Sequence, residues 1–92
     1  MSRVFGDPVN VWVDETGRPT RFIWREQLHP VRRVLEHWVA TRDWWRRRDP
    51  DADDHGEREF WRVEASAGDS IMICELRFDA ATRSWLLSRV WD

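Results

Sequence analysis

Glu59-Phe-Trp-Arg-Val-Glu-Ala65, Ser66-Ala-Gly-Asp69, Ile71-Met-Ile-Cys-Glu-Leu-Arg-Phe78, Asp79-Ala-Ala-Thr-Arg83 and Trp85-Leu-Leu-Ser-Arg-Val-Trp91, read in succession, decide the fold. Trp61, Val63 and Ala65 fall on one face of the first run, and Met72, Cys74, Leu76 and Phe78 on one face of the second, which is the two-residue period of a β-strand. The intervening stretches are short enough for consecutive hairpins, so the last three strands are expected to form an antiparallel meander. Both of its faces carry apolar groups. Phe60, Ile71 and Ile73 lie opposite the set with Trp61, Met72 and Leu76, and an unbroken period sets Trp85, Leu87 and Trp91 opposite Leu86 and Val90. A lone sheet leaves one set wet, so the sheet is expected to curl, with the N-terminal strands covering the second face.

Upstream the pattern is similar. Val9, Val11 and Val13 alternate with polar or aromatic residues, Asp14-Glu-Thr-Gly-Arg-Pro19 supplies turn chemistry, and Arg21-Phe-Ile-Trp-Arg25 reads as the second strand. In Pro30-Val-Arg-Arg-Val-Leu-Glu-His-Trp-Val39, Val31, Val34, Leu35 and Trp38 stand at helical spacing behind a proline, which locally favours a helix. From Arg46 to Glu57 no apolar residue exceeds alanine in size, so residues 47–57 are expected to be a mobile charged loop. A chain of 92 residues holds one core. The expectation is one small, mostly β domain over 1–92: a strongly curled antiparallel sheet or small open barrel, a meander of hairpins with at most a short helix at 31–39.

Composition limits the partners. Fifteen basic residues, all arginine, stand against seventeen acidic ones for a net charge of −2, so no global field draws the chain to nucleic acid or an anionic membrane. Arginine stacks on aromatic faces and forks onto carboxylate or phosphate in ways lysine does not. Eight tryptophans, each able to bury about 150–250 Å², must supply much of the core, and so short a chain leaves some at the surface. The lone Cys74 excludes an intrachain disulfide and the Cys-rich zinc sites. The stretch from Met1 to Pro8 has no secretory apolar run, and nothing approaches the ~18 apolar residues of a membrane span, so a cytoplasmic protein without membrane contact is expected.

Candidate chemistry is sparse. Trp44 and Trp45 followed by Arg46, Arg47 and Arg48 have the rings and cations of a single-stranded nucleic-acid site, but Asp49, Asp51, Asp53 and Asp54 follow at once and largely cancel them. On an extended segment the two adjacent rings point to opposite sides, one anchoring and one presenting a surface rimmed by these arginines. The acidic run lacks EF-hand spacing and its closing glutamate. His29, His37 and His55 are scattered, with surface or turn positions as the default. Cys74 sits on an inward face, where a buried inert thiol is the simpler account than a nucleophile. No glycine-rich loop exists, and no catalytic residue, metal site or cofactor is assigned. What stands out is the aromatic surplus, part of it core with arginines stacked on tryptophan, part a Trp patch rimmed by Arg, the composition of interface hot spots. Trp91 and Arg89 complete the candidate binding set with Trp44, Trp45 and Arg46 to Arg48.

Phe22-Ile-Trp-Arg25, Val34-Leu35 with Trp38, Trp44-Trp45, Glu59-Phe-Trp-Arg-Val63, Glu75-Leu76, Phe78-Asp79, Thr82 and the closing Trp85 to Asp92 resemble an uncharacterised actinobacterial domain-of-unknown-function family over nearly the whole chain. The second half is similar to the C-terminal segment of ImuB-type homologues of Y-family DNA polymerases. That resemblance implies a place beside translesion synthesis. It also implies a bent strand over 31–39, because the ImuB-like version carries Gly-Pro just before the position of Trp38, with a bulge at Arg32-Arg33 keeping Val31, Val34 and Trp38 on one side. Gln27-Leu-His-Pro30, where a glycine or basic residues belong, and the missing tyrosines depart from the pattern. The resulting expectation is a non-catalytic accessory module docking through Trp and Arg onto a DNA-repair or error-prone polymerase partner, with a translesion polymerase complex subunit as the candidate. The alternative is single-stranded nucleic-acid binding through Trp stacking and Arg–phosphate contacts.

Overall fold

The computed structural model describes residues 2–40, 58–80 and 82–91. Six strands follow in chain order: β1 (Ser2–Val13), β2 (Pro19–Trp24), β3 (Gln27–Ala40), β4 (Arg58–Ala67), β5 (Ser70–Asp79) and β6 (Ser84–Trp91). Each pairs antiparallel with its neighbour in sequence, and β1 also pairs with β6, so the meander closes into a barrel rather than remaining open. No described residue is helical; residues 31–39 are strand. Residues 47–57, expected as a loop, lie outside the described residues.

The barrel is strongly staggered. A row of paired residues runs from Val39 through Glu59, Phe78 and Trp85 to Val9. The next residue, Asn10, pairs with Ile23 and so with Leu28, at the other end of β3. Such stagger tilts the strands and makes β1 and β3 change partners midway. β1 leaves β6 after Val9 and joins β2 at Asn10, while β3 leaves β2 after Pro30 and joins β4 at Val31. Both changeovers carry a proline, at Pro8 and Pro30. A residue without an N–H sits in a sheet where one ladder has stopped.

Phe22, Val63, Ala65, Cys74, Leu76 and Leu87 are fully buried inside, with Trp61 and Val90 nearly so. Val9 and Val11 from β1 pack against them. The N-terminal strands thus close the barrel over the first face of the meander; they do not cover the second, whose Phe60 and Ile73 remain outside and partly exposed. His29 is a core residue at 3% exposure, not a surface one. Its Nδ1 lies 2.9 Å from the Ser66 carbonyl, which can only accept, so Nδ1 carries the proton.

Bulges reset the inward–outward alternation in three strands, and in β2 the skipped residue is Thr20, which leaves Pro19 and Phe22 both buried. The β3–β4 ladder skips Arg32 and again Leu35. The first skip holds Val31 and Val34 both against the core, as expected; the second turns the phase once more, so His37 faces Trp61 and Trp38 is turned to the outside beside Phe60. Trp38 therefore does not share a side with Val31 and Val34. In β6 Ser88 is the extra residue, with Leu87 opposite Leu76 and Arg89 opposite Glu75. Val90 consequently joins Leu87 inside, and Trp91 joins Leu86 outside, reversing the expectation from an unbroken period.

The β2–β3 hairpin carries no glycine or asparagine. Arg25 and Glu26 both adopt left-handed backbone, φ 53° and 66°. Arg25 offsets that strain with contacts: its guanidinium lies 4.6 Å from the Trp24 ring and 5.1 Å from that of Phe5, and 3.4 Å from the Asp7 carboxylate. Asp7 also accepts from Trp24 Nε1 at 2.9 Å.

Candidate functional site

The bulges at Leu35 and Ser88 place two tryptophans on one outer face, across β3, β4, β5 and β6. Trp38 stacks on Phe60, rings 5.4 Å apart and 9° from parallel. Arg62 stands between the two corners of the face, its guanidinium carbon 4.5 Å from the Trp91 ring and 5.9 Å from the Trp38 ring. Its Nη1 donates to Glu36 at 2.6 Å, which fixes the cation in that position. Arg89 approaches Trp91 at 5.8 Å. Leu35, thrust outward by its bulge, joins Ile73, Trp91, Arg62 and Glu36 around a shallow cleft of about 300 Å³. The arrangement is an apolar patch of aromatic and aliphatic side chains with ion pairs along its border.

Of the expected binding residues, Trp91 and Arg89 come together here. Trp44, Trp45, Arg46, Arg47 and Arg48 lie outside the described residues, as does His55. Arg62, Trp38, Leu35 and Ile73 were not in the expected set. Of these only Ile73 carried a sequence signal, the surplus of apolar residues on the outward face of the meander; Leu35 and Trp38 carried none, because the bulge that exposes them leaves no local mark.

The face suits apolar docking better than base stacking. A stacking platform needs open ring faces beside unpaired cations. Trp91 is covered by Arg62 and Arg89, and Trp38 by Phe60, while Glu36 and Glu64 hold Arg62 and Arg33 in ion pairs. Glu75, opposite both Arg62 and Arg89, adds negative charge at the centre. Phosphate would meet carboxylates as often as guanidinium groups.

Elsewhere the chemistry is structural. Burial pushes the Cys74 thiol up to about 12, so it is neutral at physiological pH. His37 stacks on Trp61 with ring centroids 3.6 Å apart and meets Glu59 at 3.5 Å. Among the described residues no three His, Cys, Asp or Glu side chains are grouped to share a metal ion.

Comparison with curated proteins and with solved structures yields no match. A family model described as "Domain of unknown function (DUF6504)" matches residues 1–92, and the chain belongs to that family.

Proposed function

We propose that the domain is a non-catalytic accessory module of the cytoplasm, docking through its Trp38–Arg62–Trp91 face onto a protein of a DNA-repair complex built around an error-prone polymerase. The observation that supports docking is the pair of bulges at Leu35 and Ser88: each turns a tryptophan out of the core, and both rings arrive on the same face around one ion-paired arginine. Bulges are a device for re-aiming side chains at functional positions. Burying Trp91, Leu35 and Ile73 against a complementary surface supplies the energy, and the bordering Glu36, Arg33 and Glu64 supply orientation. The choice of partner rests on the resemblance of the second half to the C-terminal segment of ImuB-type homologues of Y-family DNA polymerases.

Calorimetric titration of the domain against a purified ImuB-type polymerase homologue tests this. Saturable binding is expected, weakened by about 2 kcal/mol or more in Trp91→Ala with little change in melting temperature. Absence of binding overturns the partner. Binding to fluorescent oligo-dT that falls steeply with salt, and is lost in Trp91→Ala, overturns protein docking in favour of single-stranded nucleic acid.

A further inference from the structure

The change of partners in β1 leaves a strand edge that no described residue pairs with. Thr20 Oγ1 donates to the Trp12 carbonyl at 3.1 Å, and Asp14 N donates to the Arg18 carbonyl, so Trp12 and Asp14 direct their backbone groups toward β2. Successive residues of a strand alternate, so the N–H and C=O groups of Val11 and Val13 face the other way, along the line that β6 occupies further down. The β1–β6 ladder ends at Val9 opposite Trp85, and among the described residues no strand pairs with β1 beyond it on that side. An open cleft of about 590 Å³ lies there, with Trp12 and Trp85 among its walls. Trp12 and Val13 are 40% and 47% exposed. Of the side chains lining the cleft only Arg83 is charged, and among the described residues no carboxylate pairs with it.

We propose that this edge receives an extended peptide segment of a partner protein, which adds as a short strand antiparallel to β1 and presents a carboxylate to Arg83. Every ladder of the barrel is antiparallel, and a strand antiparallel to β1 runs in the direction of β6, so its C-terminal end meets the Arg83–Ser84 turn. The backbone groups of Val11 and Val13 supply main-chain hydrogen bonds, the two tryptophans clasp alternate side chains, and Arg83 selects an acidic residue or a free C-terminus. This site lies at the opposite end of β6 from Trp91 and does not depend on the docking face.

Hydrogen exchange on the free domain is the first test: Val11 and Val13 amides exchange rapidly while Trp12 is protected. Protection of all three alike overturns the proposal. The second is a ¹⁵N titration with the peptide acetyl-Thr-Val-Thr-Val-Asp. Saturable shifts are expected at the Val11, Val13 and Trp85 signals, weakened at least fivefold by Arg83→Ala and by an Asn-amide end on the peptide. Val13→Pro, which removes only an outward-facing N–H, should abolish them while the fold is retained. Trp91→Ala should leave the titration unchanged. No shifts at millimolar peptide, or shifts centred on Trp91, overturn the edge site; the latter result leaves the docking face standing.

Discussion

Single residues show where the fold stores its stability. Trp61 closes the core at 8% exposure with His37 stacked upon it, so Trp61→Ala should cost about 3–5 kcal/mol, enough to unfold so small a domain. Chemical denaturation checks this, and a variant melting within a few degrees of the parent would contradict the assignment. Asp14 acts differently, from the surface. Its Oδ1 accepts from the Thr16 hydroxyl at 2.6 Å and from the amides of Thr16 and Arg18, and these bonds, with that to the Thr16 hydroxyl foremost, hold its carboxyl below the ordinary value of 3.8. A lowered folded-state value means the contribution is complete above the unfolded-state value and is lost as pH falls through the folded one. Asp14→Ala should therefore melt lower than the parent at pH 6, and the two curves should begin to approach each other only as pH falls below about 4. A gap independent of pH would show that the turn does not use the charge.

At the scale of elements, what could be read from sequence was whatever repeats with a local period. β4 and β5 pair without interruption from Arg58 opposite Asp79 to Ala67 opposite Ser70, and Trp61, Val63, Cys74 and Leu76 were legible as core for that reason. The bulge at Arg32 was expected only through the family resemblance, and those at Leu35 and Ser88 were not expected. Nothing about Leu35 or Ser88 marks it as an extra residue; the shift of phase follows from register against a neighbour distant in the chain, and Trp38 and Trp91 were placed on the wrong side accordingly. The Arg25–Glu26 turn was equally hidden, because its residues are not those that favour left-handed backbone. The difference between regular and bulged stretches is testable by deletion. Removing Ser88 keeps Val90 inside and should fold with a loss of about 1–2 kcal/mol from the missing hydrogen bonds to Glu75. Removing Arg62 from the regular ladder flips one end of β4 and should prevent folding altogether. Circular dichroism of the two variants separates the cases. Glu26→Gly should instead raise stability by about 1 kcal/mol, by relieving φ 66° in a non-glycine residue.

For the whole molecule the decisive property is closure, which composition and hairpin spacing could suggest only as a strongly curled sheet or a small open barrel. Closure removes free edges along most of the sheet and encloses one narrow core. It also makes the strands interdependent: the inner faces of β4, β5 and β6 are covered by Phe22 from β2, Val9 and Val11 from β1 and Val31 and Val34 from β3. The meander has a hydrophobic interior only when the other three strands are present. A peptide comprising residues 58–92 contains most of the fully buried residues of the barrel, yet on its own it would expose Val63, Cys74, Leu76 and Leu87 to water. Each such side chain forfeits about 1.5–3 kcal/mol of burial, more than a three-stranded sheet can recover from its own pairing. The fragment should therefore be unfolded or aggregated when isolated, and should gain strand signal in circular dichroism only when mixed with residues 1–40. A fragment that folds alone, with dispersed amide resonances, would mean that the meander is the folding unit and that β1 to β3 were added to a sheet already stable.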